Sequence, residues 1–163
     1  MSEPKWLEIA RGDIGAVEIP GPETNVKIRG WLRSLRAWWD DDETPWCGVA
    51  VAAWMQQAGF PLPKFWMRAR DWATWGQHLP GPRVGCVVVF SREGGGHVGL
   101  VVGRDEVWNL MVLAGNQGNA VNIKPFSLDR VLAYRWPPGV EPPLLSGGLP
   151  LLQSDLQLSR NEA

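Results

Sequence analysis

Long apolar runs are missing from this 163-residue chain. No stretch approaches the roughly 18 consecutive apolar residues of a spanning helix, and the start, Met1-Ser2-Glu3-Pro4-Lys5-Trp6, has no basic segment followed by an apolar one. The expectation is cytoplasmic synthesis without a Sec-type signal and without stable membrane insertion. A positive surplus is missing as well. With 16 basic against 17 acidic side chains and a net charge of -1, the chain has little with which to neutralise a phosphate backbone, so nucleic acid is not expected as a partner. Cysteine is scarce: Cys47 and Cys86 are too few for a disulfide framework or a Cys-rich zinc site, and neither metal nor cofactor is expected. A bond between the two is disfavoured, because a cytoplasmic product is kept reduced.

What is present is enough for one core. Leu, Ile, Val and Phe make up about 26% of the residues, above the roughly 20% below which chains tend to stay unfolded, and the length suits a single domain. The unusual component is tryptophan, which supplies 11 of 16 aromatic residues. Indoles fill cores when the N–H finds a partner, and they line grooves where one face packs on a ligand. Any single one is more often core, so a groove requires them clustered around chemistry.

The apolar spacing changes part-way along the chain. Trp6, Leu7, Ile9 and Ala10 predict a short helix ending near Gly12, and Ile28, Trp31, Leu32 and Leu35 fall on one helical face. A third helix is delimited by Thr44 as N-cap, Pro45 as first helical residue and Gly59 as the left-handed terminator. Phe65 to Trp75 suggests a fourth. From residue 84 the pattern is that of strands: Val87 to Phe90, His97 to Val102, Val107 to Leu113, Ala120 to Ile123 and Val131 to Trp136. Helices followed by a strand meander make an α+β architecture. The boundaries are a single catalytic domain over residues 1–137 and a Pro/Leu-rich tail over 138–163. In the tail, Leu149, Leu152 and Leu156 are spaced for one face of a short docked helix, against a flexible alternative.

Three residues can carry chemistry together. Cys47 falls at the third position of the predicted helix, where unpaired backbone N–H groups and the helix dipole favour thiolate over thiol. His97 follows three glycines at the start of a predicted strand, and Gly99 and Gly103 on the same face leave space beside the imidazole. Asn116, in the polar run Ala114-Gly115-Asn116-Gln117-Gly118-Asn119, can accept the Nδ1 proton while the other ring nitrogen faces sulfur; Gln117 and Asn122 are alternatives for that position. Trp46, Trp72, Trp75 and Gln117 are the candidates for contacting substrate. The run Asp40-Asp41-Asp42-Glu43 reads as an electrostatic cap on the helix start in preference to a solvated loop or a calcium loop, since consecutive Asp residues lack alternating ligand spacing. Those charges oppose thiolate formation at Cys47.

Trp6-Leu7, Ile14 to Gly21, Asp41-Asp42-Glu43-Thr44-Pro45-Trp46-Cys47, Gly96-His97-Val98-Gly99, Gly115-Asn116-Gln117 and Tyr134-Arg135-Trp136-Pro137 occur in that order. With these motifs the chain resembles the CHAP group of cysteine peptidases and amidases, in a compact branch common in phage and prophage genomes. The resemblance runs from residue 4 to about 137. It implies a papain-like fold related to the NlpC-type wall hydrolases, with the cysteine's helix packed on an antiparallel sheet that carries the histidine. It also implies hydrolysis of a peptidoglycan amide, either the muramoyl-peptide link or a bond within the stem peptide, with Cys47 as nucleophile, His97 as general base and acid, and Asn116 as orienting group. The sequence departs from the group at Gly85-Cys86, where related proteins tend to place Asp after the glycine. Access to the wall would need a holin-type membrane lesion or a secretion machine. Two other functions compete: a non-catalytic wall-binding or phage structural module using a Trp-lined groove, and acyl transfer or another amide cleavage at the same kind of site.

Overall fold

The computed structural model describes residues 3–19, 25–39, 45–144 and 148–152. Three helices, α1 (Lys5–Gly12), α2 (Val26–Ser34) and α3 (Cys47–Gln57), precede a six-stranded antiparallel sheet. Its strands are β1 (Gln77–Leu79), β2 (Val87–Arg92), β3 (Gly95–Arg104), β4 (Leu110–Ala114), β5 (Asn122–Phe126) and β6 (Val131–Trp136), in the spatial order β1-β6-β2-β3-β4-β5. This is the expected α+β arrangement of N-terminal helices on an antiparallel sheet, consistent with a papain-like fold.

The helix that carries Cys47 is the centre of the core. Its residues from Cys47 to Met55 are all buried, which follows from a sequence that is apolar on every side. Small residues let neighbours come close: a Cβ on Gly48 would lie 2.6 Å from the Trp66 carbonyl oxygen and 2.9 Å from that of Met67. The C-terminus closes as expected, with Gly59 at φ +92°, its N–H donating to Gln56 O and that of Phe60 to Met55 O. Ahead of it, α2 begins at Asn25, whose side chain accepts from the amides of Lys27 and Ile28. Ile28, Trp31 and Leu32 then face the core.

Several boundaries differ from the sequence reading, each for a local reason. The third helix starts at Cys47, because Trp46 keeps a non-helical backbone (φ -128°, ψ 18°) while its indole is buried. Thr44 and the acidic run 40–43 lie outside the described residues. The segment from Phe65 to Trp75 forms turns and a 3-10 helix (Ala69–Thr74) instead of an α-helix; the extended backbone of Arg68 interrupts it. Strand β4 starts three residues later than expected, since the Asp105 carboxylate accepts from the amides of Val107 and Asn109 and ties residues 105–109 into a loop. Strand β5 is likewise displaced towards the C-terminus, and the short β1 was not anticipated. In the tail, residues 148–152 do not form a helix. They lie extended along the end of β3, with Arg104 N–H donating to Pro150 O and Leu152 N–H to Arg104 O, and Leu149 and Leu152 pack on the core. Leu156 lies outside the described residues.

Both cysteines are free thiols. Cys86 takes over the role of a turn acceptor: its sulfur receives the Arg83 amide at 3.5 Å, while its own N–H donates to Arg83 O. Just before it, Gly85 at φ +88° lets Pro4 and Trp6 close on the turn, and the Trp6 indole donates to Gly85 O at 2.7 Å. Burial pushes the Cys86 thiol from an ordinary 9.0 up to about 12. Burial, and secondly the nearby Cys86, raises the half-buried Tyr134 from 10.0 to about 12. The folded thiol keeps its proton at a pH where the unfolded one has lost it, so its stabilising contribution is complete below pH 9.0 and is lost as pH rises towards about 12. Urea denaturation across that range should show stability falling, with Cys86 contributing at most about 1.4 kcal/mol per pH unit, and Cys86→Ala should flatten the slope.

Candidate active site

Among the described residues, the buried polar side chains are His97, Asn116 and Gln117, and they sit together at one end of the sheet. His97 lies within β3, two residues past the strand's start at Gly95, and pairs in register with Phe90 of β2. Its imidazole is stacked against Phe126, with ring centroids 5.2 Å apart and planes 9° from parallel, and Phe90 stacks in turn on Phe126 at 4.5 Å. These rings fix the imidazole plane and exclude water from one face.

The hydrogen bonds fix its tautomer. Gln117 and His97 Nε2 are joined at 3.0 Å through the amide oxygen of Gln117. The orientation of that amide follows from its other end, where the nitrogen faces three acceptors: Val112 O at 3.3 Å, Asn122 O at 3.0 Å and Asn122 Oδ1 at 2.9 Å. A nitrogen that donates to these leaves the oxygen towards the ring, so Nε2 carries the proton and Nδ1 carries the lone pair of the neutral imidazole. Asn122 completes the clamp by donating from Nδ2 to Gln117 O at 2.8 Å.

This changes the expected roles. Asn116 was the first expectation for orienting the imidazole through Nδ1, with Gln117 and Asn122 as alternatives; the group on the ring is Gln117, and the nitrogen it holds is Nε2. The cause is the turn: Asn116 takes the left-handed conformation, φ +61°, and the next side chain swings inward to the ring. Gln117 was expected to touch substrate and is buried behind the histidine instead. Trp46, Trp72 and Trp75 are core residues, not a groove. Trp46 packs so closely on Gly115 that a Cβ there would lie 2.6 Å from the indole, while the indoles of Trp72 and Trp75 donate to Trp66 O and Pro61 O at 2.9 Å each. The space at Gly99 is also filled, by Val112 and Ala114 of the neighbouring strand, and that at Gly103 by Pro150 and Leu152 of the tail.

Cys47 opens α3 and lines a cleft of about 360 Å³ with Arg68, Arg70, Asp71, Arg92 and Gly96. The cleft therefore joins the first turn of the cysteine's helix to the strand residues that lead directly into His97. Helix-start amides favour negative charge on the sulfur, and a neutral imidazole with its lone pair on Nδ1 can serve as base. Residues 39–116 match the CHAP domain. That segment contains Cys47 and His97 and stops one residue short of Gln117. CHAP domains are typically cysteine-dependent hydrolases, and the domain implies a cell-wall amidase or peptidase acting on peptidoglycan. No curated protein and no solved structure matches the chain. No group of three or more His, Cys, Asp or Glu that could hold a metal ion occurs among the described residues, and no helix there is long and apolar enough to cross a membrane.

The cleft arginines were missed as functional features, and Gln117 and Asn122, offered as alternatives to Asn116, were not foreseen to act together as one clamp. A signal for the clamp was present: Asn in a Gly-Asn turn favours positive φ, which hands the inward direction to the following residue. If Gln117 sets the tautomer, Gln117→Ala should lower kcat by about 100-fold, the scale of a well-placed acid-base group. The folded protein should survive, as judged by its thermal melt. Gln117→Glu keeps an acceptor for Nε2 but sets a carboxylate oxygen against Val112 O, Asn122 O and Asn122 Oδ1, so its melt should fall below that of wild type.

Proposed function

We propose that this chain hydrolyses an amide of bacterial peptidoglycan through Cys47, His97 and Gln117, at the muramoyl-peptide link or within the stem peptide. The observation that carries the reading is the buried hydrogen bond between His97 Nε2 and the Gln117 amide oxygen, with Cys47 lining a cleft that reaches Gly96, the residue before His97. In the first half-reaction, His97 Nδ1 takes the thiol proton and the thiolate attacks the amide carbonyl carbon. The C–N bond then breaks as the imidazolium gives that proton to the leaving amine, which leaves a thioester on Cys47. In the second half, neutral His97 removes a proton from water, the hydroxide adds to the thioester, and the acid departs as the sulfur regains its proton. Gln117 stays bonded to Nε2 throughout and supports the imidazolium. The Cys47 backbone N–H, in the first turn of α3, is the proposed oxyanion donor.

Such an enzyme would act in lysis or in attack on another cell's wall, made in the cytoplasm and delivered by a holin-type lesion or a secretion machine. The deciding experiment is digestion of purified peptidoglycan by wild type and Cys47→Ala, with released fragments identified by mass spectrometry. New fragments from wild type alone are expected, and their new termini name the bond. Release by neither protein, with both sedimenting with the wall, would return the function to a non-catalytic binding module.

A further inference from the structure

The two glycines directly before His97, Gly95 and Gly96, seat an arginine. Arg70 lines the Cys47 cleft, its Nε donates to Gly95 O at 2.8 Å, and its stem lies across Gly96, where an added Cβ would come within 2.9 Å of Arg70 Cγ and 3.1 Å of Phe90 O. A side chain at position 96 would therefore displace the arginine. This seat is next to the general base in sequence and on the nucleophile's cleft in space. Two more arginines share the lining. Arg68 lies over the Phe65 ring at 4.6 Å, and Arg92 stands opposite Gly95 in the β2–β3 register. Among the described residues, the acid in that lining is Asp71. Neither Arg68 nor Arg70 is in an ion pair among the described residues, where the pairs are Glu3–Arg11 and Asp13–Lys27.

Among the described residues, a chain of net charge -1 has thus placed three cations and one anion along the cleft of its proposed nucleophile. We propose that the cleft selects a substrate that carries a free carboxylate beside the scissile amide, with Arg70 as its principal receptor. This rests on the hydrolase reading and narrows it. An arginine held at Nε keeps its outer nitrogens for the fork-like hydrogen bonding that suits a carboxylate. An acidic residue of a stem peptide would offer such a group, and its amidated form would not. A carboxamide has the same shape without the charge, so the cleft would discriminate between the two forms.

The test uses two synthetic muropeptides identical except that the carboxylate beside the scissile bond is free in one and a carboxamide in the other. Wild type is expected to favour the free acid by roughly tenfold or more in kcat/KM, the scale of a charge-assisted hydrogen bond in a partly enclosed site. Arg70→Gln should bring the ratio close to one, mainly through KM. Arg70→Lys should keep part of it, and Arg33→Gln, on the exposed side of α2, should leave it unchanged. Equal cutting of both peptides by wild type, or a preference that survives Arg70→Gln, would overturn the carboxylate assignment and leave the hydrolase reading standing. If wild type cuts neither peptide, the hydrolase reading fails, and calorimetric binding to Cys47→Ala decides the remainder. Tighter binding of the free acid supports the anion site, and equal affinity removes it.

Discussion

One buried amide sets the order of the rest. The Gln117 side chain has its nitrogen committed to three acceptors and its oxygen committed to His97, so its orientation is decided by groups that all belong to β4, β5 and the turn between them. In a low-dielectric interior, reversing that amide would set nitrogen against N–H on one side and oxygen against three oxygens on the other. The imidazole inherits its tautomer from this constraint and its plane from Phe126. What a flexible surface histidine would settle by exchange with water is settled here by packing.

The nucleophile and the orienting group arrive from opposite ends of the chain, and one close contact joins them. Gly115 has Trp46 and Ala50 against it, at 2.6 and 3.0 Å from where a Cβ would stand. Trp46 is the residue before Cys47, Ala50 is one turn into the same helix, and Gly115 is two residues before Gln117. The missing side chain at 115 is therefore what allows the turn carrying Gln117 to lie on the first turn of α3. Trp46 gains its position from shape alone, since its indole N–H has no hydrogen-bond partner among the described residues. Burying that donor costs about 1–3 kcal/mol, offset by the apolar area that the ring removes from water.

The sequence and the structure agree most where information is local. The periodicity of Ile28, Trp31 and Leu32 and the left-handed Gly59 are set by residues within a turn or two, and both stand as expected. The order of helices and strands was legible for the same reason; Cys47 and His97 were singled out by their helix-start and strand-start positions, and Cys47 does open α3 while His97 lies near the start of β3. Strand β1 and the extended course of residues 148–152 depend on partners some 50 residues away, Tyr134 to Trp136 in one case and Arg104 in the other, which no local window contains. The tryptophans failed for a different reason. An indole serves a core or a groove equally well, and only the neighbours of Trp46, Trp72 and Trp75 decide between the two.

The electrostatic tension in the sequence has a counterpart in the fold. Read along the chain, the acidic run before Cys47 sets negative charge against a thiolate. Read across the fold, Arg68, Arg70 and Arg92 line the same cleft as the sulfur from the opposite side, supplied by the segment after α3 and by the end of β2. Arg68 and Arg70 are exposed and Arg92 is half-buried, so solvent screens the first two, and what they add at the sulfur is the part of their field that survives that screening. A thiolate at Cys47 and the substrate carboxylate proposed above would then draw on the same set of cations, supplied by a chain with almost no net charge.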